Sequence, residues 1–547
     1  MRARAWISVG LLLVGAGVLA AAGPAGPGQR KGGTLRIGSA HDIDSLDPAL
    51  AYGIDSWAIE YATCTELYSY PDRAGSAGTI LIPEVAADFP RVSKDGRTNT
   101  IQLKRTYRFD TGAPVTAANF VAAFNRDANP RMQSPVVAAG YLHDIVGADA
   151  VTDGKAQRIS GVKALGPYAL QIRTTRPATD LLHILALPFF CPIAVGSPPV
   201  EMDVPLGSGP YHFVSHVKNR EIVLERNRFY RGPRPASVDR MVWTFQAAET
   251  CRQGADRNEL DYCWFVGPEN IPGIVAKYGI NRPGGRFFLN SSLGVYYFAF
   301  NHDRPAFKGA GQIPLKQAIN LVLDRHALAQ AAGLLTVRRV DQILPGALGR
   351  DVSIYPRNAP TERDVEKARA LVAKAKIKPE KLILYAHLPG FKGVNAAWAQ
   401  IFKFALGRLG IDVETRYFGS FGEVGARAGT RGEPFDVVIG AWTPDYADGA
   451  AVFAPLLDGS NLRDSGNLNL AYFDRLRVNT EIERIEGLTG EARHKAWADL
   501  DVRLMRDDPP WAPFGSGLVG DFVSRSFGCY VYQPAYSAVD FAAACKK

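Results

Sequence analysis

DVEKARALVAKA at 364–375, KLILY at 381–385, AAWAQIFKFALGRL at 396–409, IDVETRYF at 411–418 and FDVVIGA at 435–441 alternate between two hydrophobic periods. The first and third place apolar residues three and four apart, as one face of a helix requires. The others are short runs rich in β-branched and aromatic residues, the composition of strands. Gly410 closes the second helix as a natural C-terminal stop. Helices and strands taken in turn predict an α/β lobe.

Outward from this stretch, GVYYFAFN at 294–301 is a dense apolar run suited to a strand buried on both faces. A helix is expected over 315–334, with apolar residues at 315, 318, 319, 322 and 323. A last helix at 497–505 is closed by Pro509 and Pro510. Towards the N-terminus, TLRIG (34–38) reads as a strand and DSLDP (44–48) as a turn. A helix follows over 56–67, then hairpin strands at 101–103 and 107–109, and a helix opened by Thr116 as N-cap. Further strands are expected at 168–173, 222–225 and 238–245. No repeat or long linker interrupts the chain, so it is expected to cross between lobes several times.

The chain has 547 residues, 47% hydrophobic and 21% charged, which excludes disorder, collagen and coiled coil for its bulk. Its 63 Lys and Arg exceed its 54 Asp and Glu by 9, but the excess is dispersed. A nucleic-acid binder would gather it into a stripe with aromatics, so no nucleic-acid partner is expected. Mean hydropathy is slightly negative, which excludes a polytopic membrane protein.

Arg2 and Arg4 precede an apolar run over 7–22 that ends in Ala20, Ala21 and Ala22. This is the pattern of a signal peptide over 1–22, cut after Ala22 or Ala25, followed by a flexible leader over 23–32. An uncleaved anchor is the alternative, but its run of 16 residues is short against the roughly 20 needed to span. The first cysteine is Cys64, so a lipoprotein anchor at the leader's end is not expected. The product is placed in the periplasm or on the outer face of the cytoplasmic membrane. Six cysteines in an exported chain suit disulfides, with 15 connectivities open. The favoured pairs are Cys529 with Cys545 and Cys251 with Cys263, which leaves Cys64 with Cys191.

Catalytic patterns are missing. The hydrolase elbow Gly-x-Ser-x-Gly, the phosphate loop and His-Glu-x-x-His do not occur. His212 and His216 share a strand-like run, YHFVSHV, which would set them about 13 Å apart, too far for one metal ion. The neighbouring acids Asp507–Asp508 and Asp445/Asp448 have no sequence context of an acid–base pair. No catalytic residue, metal or cofactor is therefore assigned.

From GGTLRI (32–37) with DSLDP (44–48) onward, the sequence resembles the family-5 extracellular solute-binding proteins, the oligopeptide, dipeptide and nickel type receptors of ABC importers. Further blocks agree in order. They are IQLKRTYRF (101–109) with GAPVTA (112–117), GSGPY (207–211) with LERN (224–227) and Tyr230, PLKQAI (314–319) with Asp324–Arg325, and WTPDY (442–446). Gly449 stands where the family often has proline. The resemblance implies an α/β fold of two hinged lobes, periplasmic-binding-protein-like, with an extra inserted α+β domain in the N-terminal half. The lobes fall at 33–62 with 190–290 and 506–547, and at 291–505; the inserted domain takes 63–189.

The same resemblance places a ligand's α-ammonium on Asp445, with Trp442, Thr443 and Tyr446 around it. A buried charge needs a partner, and a carboxylate meeting an ammonium is a strong charge-assisted bond. Asp44 and Tyr52, on the segment 42–52, would face the same site. Arg416 and Arg431 are candidates for a ligand carboxylate by charge alone. The expected function is a monomeric receptor that captures a peptide or small-molecule solute and delivers it to an ABC permease with its ATPase subunits. An oligosaccharide, metal chelate or haem is the alternative ligand. A secreted hydrolase, or an adhesin or signalling receptor on the same scaffold, are the alternatives from other classes.

Overall fold

The computed structural model describes residues 31–547 apart from 41, 139, 179, 265–269, 334, 345, 351 and 388–392. The leader expected at 1–22 and all but two residues of the 23–32 segment lie outside the described residues. Among the described residues, no helix is long and apolar enough to cross a membrane.

A 12-stranded sheet runs through the molecule in two halves. One half holds Asp412–Phe418, Lys381–His387, Val437–Trp442 and Val295–Phe300. The other holds Tyr262–Cys263, Thr34–Ser39, Arg240–Phe245, Glu221–Arg226 and Tyr211–Val217. The 13-residue strand Trp511–Val523 joins them. Its residues 511–515 pair antiparallel with Val295–Phe300, and its residues 518–522 pair with Phe287–Ser291. The chain crosses a second time at 291–295, beside the first: Ser292 N donates to Gly517 O at 2.9 Å. Small residues let the two crossings touch. A Cβ on Gly517 would come within 3.0 Å of Ser292 Oγ.

Val295–Phe300 is buried along almost its whole length, which is why it shows no alternation. Tyr297 stacks on Trp511 at 3.8 Å and Phe298 on Phe402 at 4.4 Å. Each such ring withdrawn from water contributes about 1.5–3 kcal/mol. A separate four-stranded antiparallel sheet is built from Arg91–Val92, Thr98–Gln102, Ala169–Arg173 and Val162–Gly166. Helix Ala117–Asp127 contributes Phe120, Ala123 and Phe124 to the core. Thr116 and Asn119 close its first turn in a reciprocal capping box.

Disulfides join Cys64 to Cys191, Cys251 to Cys263 and Cys529 to Cys545. The first ties the end of helix Ile54–Thr63 to the segment following Pro188–Phe190.

Several elements depart from the sequence reading, among them the last helix, expected over 497–505 and running over Gly490–Asp507. The helix expected over 56–67 is Ile54–Thr63, because the chain turns extended at Cys64. The strand expected at 107–109 is a tight loop: Phe109 N bonds Ala113 O at 2.9 Å, and Gly112 takes a positive φ of 86°. The helix expected over 315–334 is two helices, Ile313–Val322 and Arg325–Ala332. Asp324 breaks it by capping the second, its Oδ1 accepting from Ala327 N at 2.9 Å. Trp511–Val523 was not expected as a strand, since Pro513, Gly515, Gly517 and Gly520 hide its period.

Candidate ligand site

Strand Val437–Trp442 ends in the loop 443–449, which leads into helix Ala450–Leu457. Asp448 anchors this loop from behind. Arg493 donates to both its oxygens at 2.8 Å, Trp497 Nε1 donates to Oδ1 at 3.1 Å, and Ala450 N donates to Oδ1 at 2.8 Å. Burial alone would raise the Asp448 carboxyl, but His183 and Arg493 beside it hold it below the usual carboxylate range. Gly449 fits here because a Cβ at that position would overlap the Trp497 ring. That accounts for the glycine where the resembled family often has proline.

Asp445, three residues earlier, is held without a cation. Its Oδ2 accepts from Tyr52 Oη at 3.0 Å and from Tyr141 Oη. Among the described residues, no hydrogen bond reaches its Oδ1, and the residue is partly exposed. Burial pushes the Asp445 carboxyl up, and the Tyr141 and Tyr52 hydroxyls pull against that shift. Both phenols are themselves raised by burial and by Asp445, so they stay protonated donors.

Tyr52 is presented by the segment after strand Thr34–Ser39. Asp44 sits one step behind it: Oδ2 accepts from Tyr52 N and Gly53 N, both at 2.8 Å, and Oδ1 accepts from Ser45 N at 2.9 Å and from Ser56 Oγ. Both Asp44 oxygens are thus engaged in shaping the loop. The Tyr52 ring, 43% exposed, leans on Trp57 at 5.6 Å and Phe189 at 5.8 Å. Tyr446 is buried; its hydroxyl donates to Asp180 Oδ2 at 3.2 Å and its ring stacks on His183 at 5.7 Å. Burial lowers the His183 imidazole, which also meets Tyr70 Oη at 2.9 Å through Nδ1. Trp442 is half-buried, with Nε1 donating to Ala451 O at 2.9 Å, and Thr443 is exposed.

The structure therefore brings Asp445 and Tyr52 into direct contact, with Trp442, Thr443 and Tyr446 on the same loop or the strand before it, and Asp44 behind. Tyr141 was missed by sequence reasoning; it lies 304 positions from Asp445, with no periodicity to mark it. Arg416 pairs with Glu414 and Arg431 with Asp303, each at 2.9 Å and partly exposed. His216 pairs with Asp42 at 3.0 Å. Asp508 is held by Lys316 and Arg475.

Residues 81–464 match the family model of bacterial extracellular solute-binding proteins, family 5 Middle. The chain is 25% identical over 492 residues to the periplasmic oligopeptide-binding protein OppA of Haemophilus influenzae, with 86% of each covered. It is 23% identical over 481 residues to the periplasmic murein peptide-binding protein MppA of Escherichia coli, covering 85% of this chain and 84% of that protein. Among solved structures, the clavulanic acid biosynthesis oligopeptide binding protein 2 superposes with a TM-score of 0.79 at 23% identity, over 94% of this chain and 95% of its own. The unliganded open form of MppA gives 0.79 at 21% identity, over 96% and 99%. The sheet halves and their crossing strands are the two-lobed architecture of these neighbours. With the family model matched over more than two thirds of its length, the chain belongs to the bacterial extracellular solute-binding proteins of family 5.

Proposed function

We propose that this protein is an exported receptor that captures a peptide-like solute between its lobes and hands it to an ABC permease driven by separate ATPase subunits. One observation carries the reading. Asp445 is a half-buried acid met by neutral hydroxyls from two other parts of the chain, and among the described residues nothing bonds its other oxygen and no cation pairs with it. A ligand ammonium placed on Oδ1 supplies the missing charge through a charge-assisted bond, roughly twice as strong as a neutral one. The relatives named for oligopeptides and murein peptides agree with such a ligand.

The protein acts by holding and releasing, not by chemistry. Contacts to both lobes favour the closed form, and the affinity difference between the two forms drives closure. The lobes are taken as 33–62 with 190–290, and 291–505, with 63–189 inserted; the boundary expected at 506 moves to the crossing within Trp511–Val523, because residues 511–515 pair with Val295–Phe300 and so go with 291–505, while 518–547 go with the first lobe. The two crossings, at 291–295 and near Ser516–Leu518, are where the chain would flex. The receptor works as a monomer outside the cytoplasmic membrane.

Native mass spectrometry of protein purified without refolding tests the reading. A co-purifying species of peptide mass, displaced by a peptide pool, is the expected result. A bound sugar, haem or metal chelate would overturn it, as would turnover of peptides by the purified protein.

A further inference from the structure

The hydroxyls of Tyr52 and Tyr141 come from two distant parts of the chain and end on the same oxygen of Asp445, Oδ2. Two donors on one carboxylate oxygen fix the plane of the group and point its partner oxygen away from them. We infer that Tyr52 and Tyr141 are positioning residues that turn Asp445 Oδ1 outward as the acceptor for a ligand's ammonium and make that acceptor selective for a cationic end. The inference rests on the proposed role of Asp445 as the ammonium's partner.

Each phenol is itself held. The backbone N–H of Tyr52 is bound by Asp44, and its ring leans on Trp57 and Phe189. The Tyr141 ring meets the edge of Tyr446 at 6.3 Å, and Tyr446 is fixed through Asp180 and His183. The other charged groups around this cluster are engaged among themselves: Asp180 with Tyr446, and Asp448 with Arg493. Burial lowers the His183 imidazole, and Asp448 beside it pulls against that shift. Among the described residues, the groups bonded to Asp445 are hydroxyls, which orient its charge without cancelling it. An arginine in their place would neutralise the acid, as Arg493 does for Asp448. A hydroxyl pair leaves one full negative charge for the ligand, and a ligand with a neutral end would leave it unmatched.

Binding of tri-alanine and of N-acetyl-tri-alanine, measured from pH 5 to pH 8, tests this with Tyr52→Phe, Tyr141→Phe, the double variant and Asp445→Asn. The phenylalanine variants keep the rings and remove only the donors. Both hydroxyl bonds are made before a ligand arrives, so removing them acts through the lost orientation of the carboxylate and its raised pKa: tri-alanine affinity should fall, most in the double variant, and the acetylated peptide should be unaffected. The donors favour the ionised carboxylate, so their loss raises its pKa. The pH below which tri-alanine affinity declines should therefore move upward in the double variant. An unmoved acid limb with unchanged affinity would overturn the inference, and so would an equal loss for both peptides, which marks a general contact between lobes. If Asp445→Asn binds both peptides as the unaltered protein does, the role of Asp445 itself fails.

Discussion

Asp448 and Asp445 lie three residues apart in one loop and are held in opposite ways. Asp448 is satisfied from within: a buried guanidinium grips both oxygens, and an indole and a backbone N–H complete the set. Asp445 is oriented by two phenols and keeps an oxygen free. The contrast separates an acid satisfied by a cation within the fold from an acid oriented only by hydroxyls, the one proposed to meet the ligand. Burial alone does not tell them apart, since both carboxyls feel it; the kind of partner does.

The largest effect is expected on the structural side. Arg493 has only 4% of its side chain exposed and lies over the Trp497 ring at 5.7 Å. Arg493→Ala leaves Asp448 buried without its cation, which typically costs about 3–5 kcal/mol. Urea unfolding should show that loss. A variant as stable as the unaltered protein would mean that the pair is dispensable and the contrast empty.

Asp445→Ala should act on the other quantity. Leaving a ligand's ammonium unpaired in a closed site costs about 2–5 kcal/mol of affinity, whereas folding stability should hold or rise, because a half-buried charge is removed. Isothermal titration with a free-amine peptide beside urea unfolding separates the two. Equal losses of stability and affinity would make Asp445 a second Asp448.

A smaller effect is expected at Gly449→Ala. The new methyl would overlap the Trp497 ring. Overpacking of this kind costs typically 1–3 kcal/mol, read in urea, with the affinity of the folded protein little changed. A neutral result would show that Trp497 can yield.

The sequence carried the WTPDY loop and, through its resemblance, singled out Asp445 as the proposed partner of a ligand's ammonium. It also named Tyr52 as facing the same site, but not its bond to Asp445, which spans 393 positions. What it could not show was how the two acids differ. Arg493 reaches Asp448 from a helix 45 positions away, and Tyr141 reaches Asp445 across 304. Contacts at such separations leave no trace in local periodicity. The strand Trp511–Val523 was hidden for a different reason. Its glycines allow close approach of neighbouring strands, Gly517 to Ser292 and Gly515 to Val337, and glycine and proline ordinarily signal a break.

The finest test is the sign of the pH dependence. The Asp448 carboxyl is lower in the folded protein than in the unfolded chain, so it contributes stability above the unfolded value of about 3.9. That contribution is lost as pH falls through the folded value. The Asp445 carboxyl is higher in the folded protein, so the folded state binds the extra proton and stability falls as pH rises from about 4 through the raised folded value. Urea midpoints from pH 3 to pH 8 for Asp448→Asn and Asp445→Asn should therefore diverge from the unaltered protein in opposite directions. The first variant loses ground as pH rises and the second gains it. Slopes of the same sign would mean that the two acids share one electrostatic environment, and that the cation behind one and the phenols on the other do not set their charge.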